Sequence, residues 1–292
     1  TSRQEIDLSF TEPYFLDRNL AAGFDVFRVT RDRQDIASYD AEETGASLRA
    51  GYSINESLSQ TWTYTFRQDK ITDVDESASR FVKEQEGERF TSLIGTQILY
   101  DERDSRVRPT DGYFLRLGTE FAGLGGDVTF ARGTIGAGFY YPLFEGVVAE
   151  LSAEAGVVHG LDDDVAIFNR FFVGGRDLRG FQRGGIGPRD LSTDDALGGN
   201  AFFTGTAEVS FPLGLPEELG LSGAIFADFG TLTSIDESDP TIADSGLIRS
   251  SVGIGFLWDS PFGPVRVDIA QPITKEDYDE TERFSFSFGT RF

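Results

Sequence analysis

The stretch "AFFTGTAEVSF", residues 201–211, decides the fold. Ala201, Phe203, Ala207, Val209 and Phe211 share one parity, and Thr204, Thr206, Glu208 and Ser210 share the other. A period of two is the mark of a strand with one apolar and one polar face. The same grammar recurs along the chain. In "LSQTWTYTF" (58–66), Leu58, Trp62, Tyr64 and Phe66 oppose Ser59, Thr61, Thr63 and Thr65. In "LIRSSVGIGFLWD" (247–259), Ile248, Val252, Ile254, Phe256 and Trp258 oppose Arg249, Ser251, Gly253 and Asp259. The closing "RFSFSFGTRF" sets Phe284, Phe286, Phe288 and Phe292 against Ser285, Ser287, Gly289 and Arg291. The expected fold class is all-β.

Alternation alone does not name the solvent, because soluble sandwiches alternate too. Strand length and turn rhythm do. These segments run to about 9–14 residues, beyond the usual 5–6 of globular strands and suited to a tilted membrane crossing. Thirteen crossings are expected, near 3–12, 21–30, 45–53, 58–69, 90–101, 113–122, 127–141, 147–159, 201–212, 220–231, 247–259, 264–271 and 282–292. Short links (54–57, 109–112, 143–147, 213–219, 260–263) fall on one side. The other side takes the long polar ones (31–44, 70–89, 161–200, 232–246), with only 123–126 short there. Short turns opposite long loops predict a transmembrane antiparallel β-barrel in an outer membrane. In hydrocarbon every backbone polar group must be paired internally, so a wall of strands closes on itself. Trp62, Tyr64, Tyr140, Tyr141 and Trp258 are candidates for the interfacial aromatic girdles. Bacterial single-chain barrels usually have even strand numbers, so the chain is expected to begin partway round the wall.

Composition narrows the function classes. The 292 residues contain no Cys, no Met and one histidine, His159. That leaves no disulfide framework or thiolate chemistry, and little room for a His-ligated metal or a catalytic triad. An enzyme such as a barrel protease or lipase is disfavoured; no catalytic residue, metal or cofactor is expected. A net charge of −23 argues against nucleic acid as a partner. Glycine (34) and phenylalanine (27) are abundant and proline (10) is scarce, as in a chain of strands. No apolar run is long enough for a membrane helix. With no signal peptide and Thr1 in place of Met, the chain reads as a processed or excised fragment.

Against this acidity, "FFVGGRDLRGFQRGGIGPRD" (171–190) gathers Arg176, Arg179, Arg183 and Arg189 among glycines, inside the longest connection, about 160–200. Loops of that length are usually functional or disordered. One reading is a flexible surface loop touching lipopolysaccharide phosphates. The other folds it into the lumen, where an arginine needs acidic partners. Glu208 is such a partner by parity. So is Asp228, because Leu221, Ile225 and Phe229 of "LSGAIFADFG" (221–230) take the lipid face. Arg176, Arg183 and Arg189 are read as solvating the loop.

"LRGF" (Leu178, Arg179, Gly180, Phe181), preceded by "RFFVGG" and followed by "IGP", resembles the VRGF-type motif of the sixth surface loop in the BamA family of outer-membrane barrel assembly proteins. Leu178 stands for the usual Val. "RPTDGYFLRL" (108–117), "DDALGGNAFF" (194–203), "FADFG" (226–230), "WDSPFGPVRVDIAQP" (258–272) and "FSFSFGTRF" also resemble family segments, in order and across the chain. The resemblance implies a sixteen-strand barrel of which about thirteen strands are present. The whole span 1–292 is then barrel, with the 160–200 loop folded into its lumen. The resemblance further implies that Arg179 engages Glu208 and Asp228. It makes the last strand (Phe284, Phe286, Phe288, Gly289, Phe292) one side of a lateral seam and the terminal recognition signal. Gly289 is either the kink of that seam or a plain strand glycine. The implied function is insertion and folding of barrel proteins in the bacterial outer membrane. Implied partners are unfolded barrel clients, lipopolysaccharide and phospholipid, and accessory lipoproteins reached through POTRA domains outside this chain. A two-partner-secretion transporter of the same superfamily is the alternative, and a passive porin has no need of the motif.

Overall fold

The computed structural model describes residues 3–216, 219–261 and 263–288. The chain opens with eight long strands joined by hairpins. These are β1 (Arg3–Glu12), β2 (Ala21–Asp32), β3 (Asp40–Ser53), β4 (Leu58–Thr72), β5 (Gly87–Asp101), β6 (Gly112–Gly126), β7 (Phe130–Phe144) and β8 (Val147–Gly160). The 161–200 loop follows, carrying the two-residue strands β9 (Gly180–Phe181), β10 (Arg189–Asp190) and β11 (Asp195–Ala196). The wall resumes with β12 (Ala201–Pro212) and β13 (Leu221–Thr233), then short β14 (Ile242–Ala243). It ends with β15 (Arg249–Ser260), β16 (Gly263–Thr274), short β17 (Thr281–Glu282) and β18 (Phe284–Phe288). Thirteen of these form one antiparallel sheet in sequence order, β1 to β8 and then β12, β13, β15, β16 and β18.

The two faces of this sheet have opposite character. Ile225, Ile254 and Ile269 sit side by side across β13, β15 and β16 and are 52%, 58% and 55% exposed. Phe24, Leu48, Phe66, Leu117, Ile135, Leu151, Phe284 and Phe286 continue this exposed apolar face on other strands. On the opposite face Asp228 and Ser251 are buried. No water-soluble sheet leaves so continuous an apolar belt open, whereas a wall standing in hydrocarbon requires it. Of the expected girdle residues, Trp62, Tyr64, Tyr141 and Trp258 lie on the belt face, but Tyr140 is buried. Adjacent residues of a strand point to opposite faces, so Tyr140 and Tyr141 could not both face lipid.

The sheet curls around the 161–200 loop. Arg67 of β4 donates to the Asn169 side chain (2.8 Å), Arg132 of β7 to the Asn169 carbonyl, and Ser251 of β15 to the Arg179 carbonyl. Seven strand spacings separate β4 from β15 in the sheet order, on the order of 34 Å if the sheet were flat. A compact loop reaches both only inside a curved wall. The core lies here as well. Tyr39, Ile71, Phe81 and Val82, from the ends and loops of β2 to β5, pack with Ile167 and Leu197 of the long loop.

Several strands outrun the spans read from the sequence. β3 begins at Asp40 because Asp40 to Thr44 pair with Gln68 to Thr72 of β4. This polar extension carries no hydrophobic alternation to announce it.

Candidate functional site

Each residue of the Leu178–Phe181 motif has a separate task. Leu178 and Phe181 are fully buried in an apolar cluster with Val173, Ile186 and Leu232. Gly180 has φ +96°, and a Cβ there would lie 3.2 Å from the Cβ of Ser251 and 3.4 Å from that of Ala270. Both the left-handed backbone and the close approach to β15 and β16 call for glycine. β9 pairs there with β17 through Phe181–Thr281 and Gly180–Glu282. The loop is thereby tied to the segment entering the last described strand.

Between these anchors Arg179, 4% exposed, turns towards the wall. Its Nε and Nη2 donate to Asp228 Oδ2 and Oδ1, both at 2.7 Å, as a two-pronged guanidinium–carboxylate pair. Its Nη1 donates to Glu208 Oε2 at 2.7 Å, and its backbone N–H reaches Asp228 Oδ2 at 3.1 Å. The guanidinium carbon sits 3.4 Å from the ring centroid of Phe226, a cation–π contact that fills the remaining side. Thr206 donates to Asp228 Oδ1 at 2.9 Å.

Two members of this network escaped the sequence reading. Arg266 donates to both oxygens of Glu208, at 2.8 and 2.7 Å, and to Asp268 at 2.9 Å. Asp268 Oδ1 stands 3.7 Å from Arg179 Nη1. The pattern "VRVDI" (265–269) held the signal, since Val265, Val267 and Ile269 take one parity and Arg266 and Asp268 the other. Two guanidiniums thus meet three carboxylates, leaving a formal −1, with the loop joined to the three strands β12, β13 and β16. Such a cluster suits bracing rather than bond-making, because every charged group is committed to another.

Of the other loop arginines, Arg176 and Arg183 are exposed. Arg189 is not: it is 1% exposed and donates to the Asp194 carbonyl (2.6 Å) and Glu280 (3.0 Å). The expectation that Arg189 solvates the loop is corrected, because carbonyls and a carboxylate from a distant segment replace its water. Arg249, also fully buried, forms a two-pronged pair with Asp279 at 3.0 and 2.9 Å. Beneath the loop tip, Asp195 accepts from the Ser38 hydroxyl and the Ser79 backbone N–H, both at 2.6 Å, and Asp190 accepts from the Ser79 hydroxyl at 2.7 Å. Burial disfavours the charge on Asp190, but hydrogen bonds from Ser192 and Ser79 outweigh it and hold the carboxyl below the usual range.

On the last strand, Phe284, Phe286 and Phe288 are exposed on the belt face and pair with Ile269, Val267 and Val265 of β16. Gly289 and Phe292 lie outside the described residues. His159 is exposed, paired with Ala131 of β7.

Residues 1–292 match the Omp85 superfamily domain. An outer membrane protein assembly factor BamA of Neorickettsia risticii is 37% identical over 98% of this chain, which spans 39% of that relative's length. Among solved structures, BamA of Haemophilus ducreyi lacking POTRA domains 1–3 superposes with a TM-score of 0.87 at 23% identity, covering 97% of this chain and 61% of that one. CdiB of Escherichia coli reaches 0.61 at 15% identity, over 97% and 52%.

Proposed function

This chain belongs to the Omp85 superfamily, and we propose that it is the membrane wall of an assembly factor that folds and inserts other barrel proteins in the outer membrane. The observation that carries this reading is the 37% identity with a named assembly factor along 98% of the chain. The bacterial outer membrane is its place, with the exposed apolar belt in lipid. The 161–200 loop occupies the lumen of the barrel, and the Arg179 cluster braces it against β12, β13 and β16. The mechanism makes and breaks no covalent bond. A seam beside the last strand opens, and its free backbone groups pair with an unfolded client strand by β-augmentation. The clients are nascent barrel chains. Accessory lipoproteins dock on domains outside this chain, and lipopolysaccharide and phospholipid surround it. The alternative, a protein transporter of the same superfamily, is supported by likeness of fold alone, at 15% identity with CdiB of Escherichia coli.

The test is a charge-swap cycle in the full-length protein, in cells depleted of the native copy. Arg179→Glu is expected to lower the amounts of unrelated barrel proteins in the outer membrane, and adding Asp228→Arg to restore them at least in part. Loss of one exported partner with barrel proteins unchanged would select the transporter instead.

A further inference from the structure

A second arginine cluster lies at the long-loop end of the wall, apart from the Arg179 network. A cavity of about 60 Å³ is lined by Arg3 of β1, Arg31 and Asp32 of β2, Arg33 and Ile36 after it, and Arg183 and Phe172 of the long loop. Four guanidiniums and one carboxylate converge in a protein whose net charge is −23. Carboxylates neutralise only part of this cluster. Arg31 pairs with Glu43 and Arg3 with Glu5. Arg33 donates to the Tyr39 hydroxyl at 3.1 Å and stacks 4.3 Å over the Phe172 ring, with no carboxylate on it among the described residues. Arg183 makes no hydrogen bond or ion pair among the described residues. Although Arg183 is exposed overall, desolvation of its guanidinium and the charges of Arg33, Arg31 and Arg3 push its pKa down, offset in part by Asp177. Asp32 is itself engaged, accepting the Gln34 N–H at 3.0 Å.

Two neighbouring guanidiniums, Arg33 and Arg183, with no carboxylate bonded to either among the described residues, cost stability unless something negative joins them. Guanidinium forks match the oxygens of a phosphate, and stacking holds the Arg33 fork in place before a ligand arrives. The size fits too: a water needs about 10–15 Å³ of such space, so the cavity holds a few waters or one tetrahedral oxyanion. We propose that the Arg31–Arg33–Arg183 cavity is a binding site for a phosphate group, carried either by a lipid headgroup at the membrane surface or by a soluble ion. This inference does not rest on the assembly-factor reading.

The experiment uses purified full-length protein in a zwitterionic detergent and low-chloride buffer. Inorganic phosphate and dihexanoyl phosphatidic acid are titrated separately by calorimetry, with dihexanoyl phosphatidylcholine as the control. Wild type is expected to bind at least one phosphate probe and to gain thermal stability from it. Arg33→Gln and Arg183→Gln should each weaken binding about tenfold, the loss of one charge-assisted contact, and the double variant should abolish the thermal gain. Binding of phosphatidic acid alone identifies a lipid headgroup as the source; equal binding of both probes identifies the phosphate group itself. In the absence of ligand, the double variant should be at least as stable as wild type, because repulsion has been relieved. Failure of folded wild type to bind either probe would overturn the proposal, as would unchanged binding in the double variant. The first result would mean that the rest of the full-length protein neutralises the cluster, the second that the probe binds elsewhere.

Discussion

Arg179 shows how one side chain can tie a long loop to a sheet. Its Nε, Nη1 and Nη2 each donate to Asp228 or Glu208 while its plane lies over the face of Phe226, a set that only a planar fork satisfies at once. Arg179→Ala leaves two buried carboxylates short of a partner and is expected to cost about 3–5 kcal/mol. Arg179→Lys keeps the charge but loses the fork, and should recover only part of that loss. Denaturant unfolding of the purified full-length protein measures both. A cost near zero for Arg179→Ala would mean that Arg266 alone satisfies the three acids.

Strands speak clearly in the sequence where both faces have a voice. In β15 the outward Val252, Ile254, Phe256 and Trp258 are large and apolar while the inward residues other than Leu257 are small or polar, so its span and its lipid face were legible. The 40–44 stretch was not, because its strand character comes from pairing with β4 rather than from its own pattern. The site divides similarly. Parity placed Glu208 and Asp228 on the inner face, and the resemblance of the loop motif drew Arg179 towards them. The burial of Arg189 was invisible, since it depends on Glu280, 91 residues away, and on backbone carbonyls that no side-chain pattern encodes. The belt itself is testable at Ile254, flanked by Ile225 and Ile269. Ile254→Arg is expected to cost about 2–4 kcal/mol in a bilayer if the site lies near the midplane. Refolding equilibria in lipid vesicles measure it, and a neutral result would remove Ile254 from the hydrocarbon.

Across the molecule, the loops act as one cap rather than as independent tips. Ser79 caps the short helix Arg80–Lys83 and also bridges Asp190 and Asp195 of the long loop. Ser79→Ala removes one donor to Asp190 and the hydroxyl cap, and is expected to cost about 1–2 kcal/mol. It should also let the Asp190 pKa rise towards the ordinary carboxylate value. Because the folded pKa of Asp190 lies below the unfolded one, its stabilisation is present above the ordinary value and is lost as pH falls through the folded value. Ser79→Ala should therefore reduce the acid sensitivity of the cap, read by carbon-13 carboxyl titration of Asp190 and by unfolding below pH 4. An unchanged titration would show that Ser192 and Thr241 set the pKa without Ser79.

The reach of the 161–200 loop also constrains the order in which this protein can form. Wall hairpins join neighbouring segments and close quickly, whereas the loop's bonds join residues 72, 102 and 157 apart in sequence, to Ser251, Arg67 and Ser38. Contacts so distant along the chain are slow to find, because each closes a large loop against entropy. A segment gripped from β4 on one side and β15 on the other cannot easily be threaded into a finished cylinder. It has to be gathered in while the strands are still rolling up, so the slow step of folding is the enclosure of the loop, and the last strand arrives after its occupant.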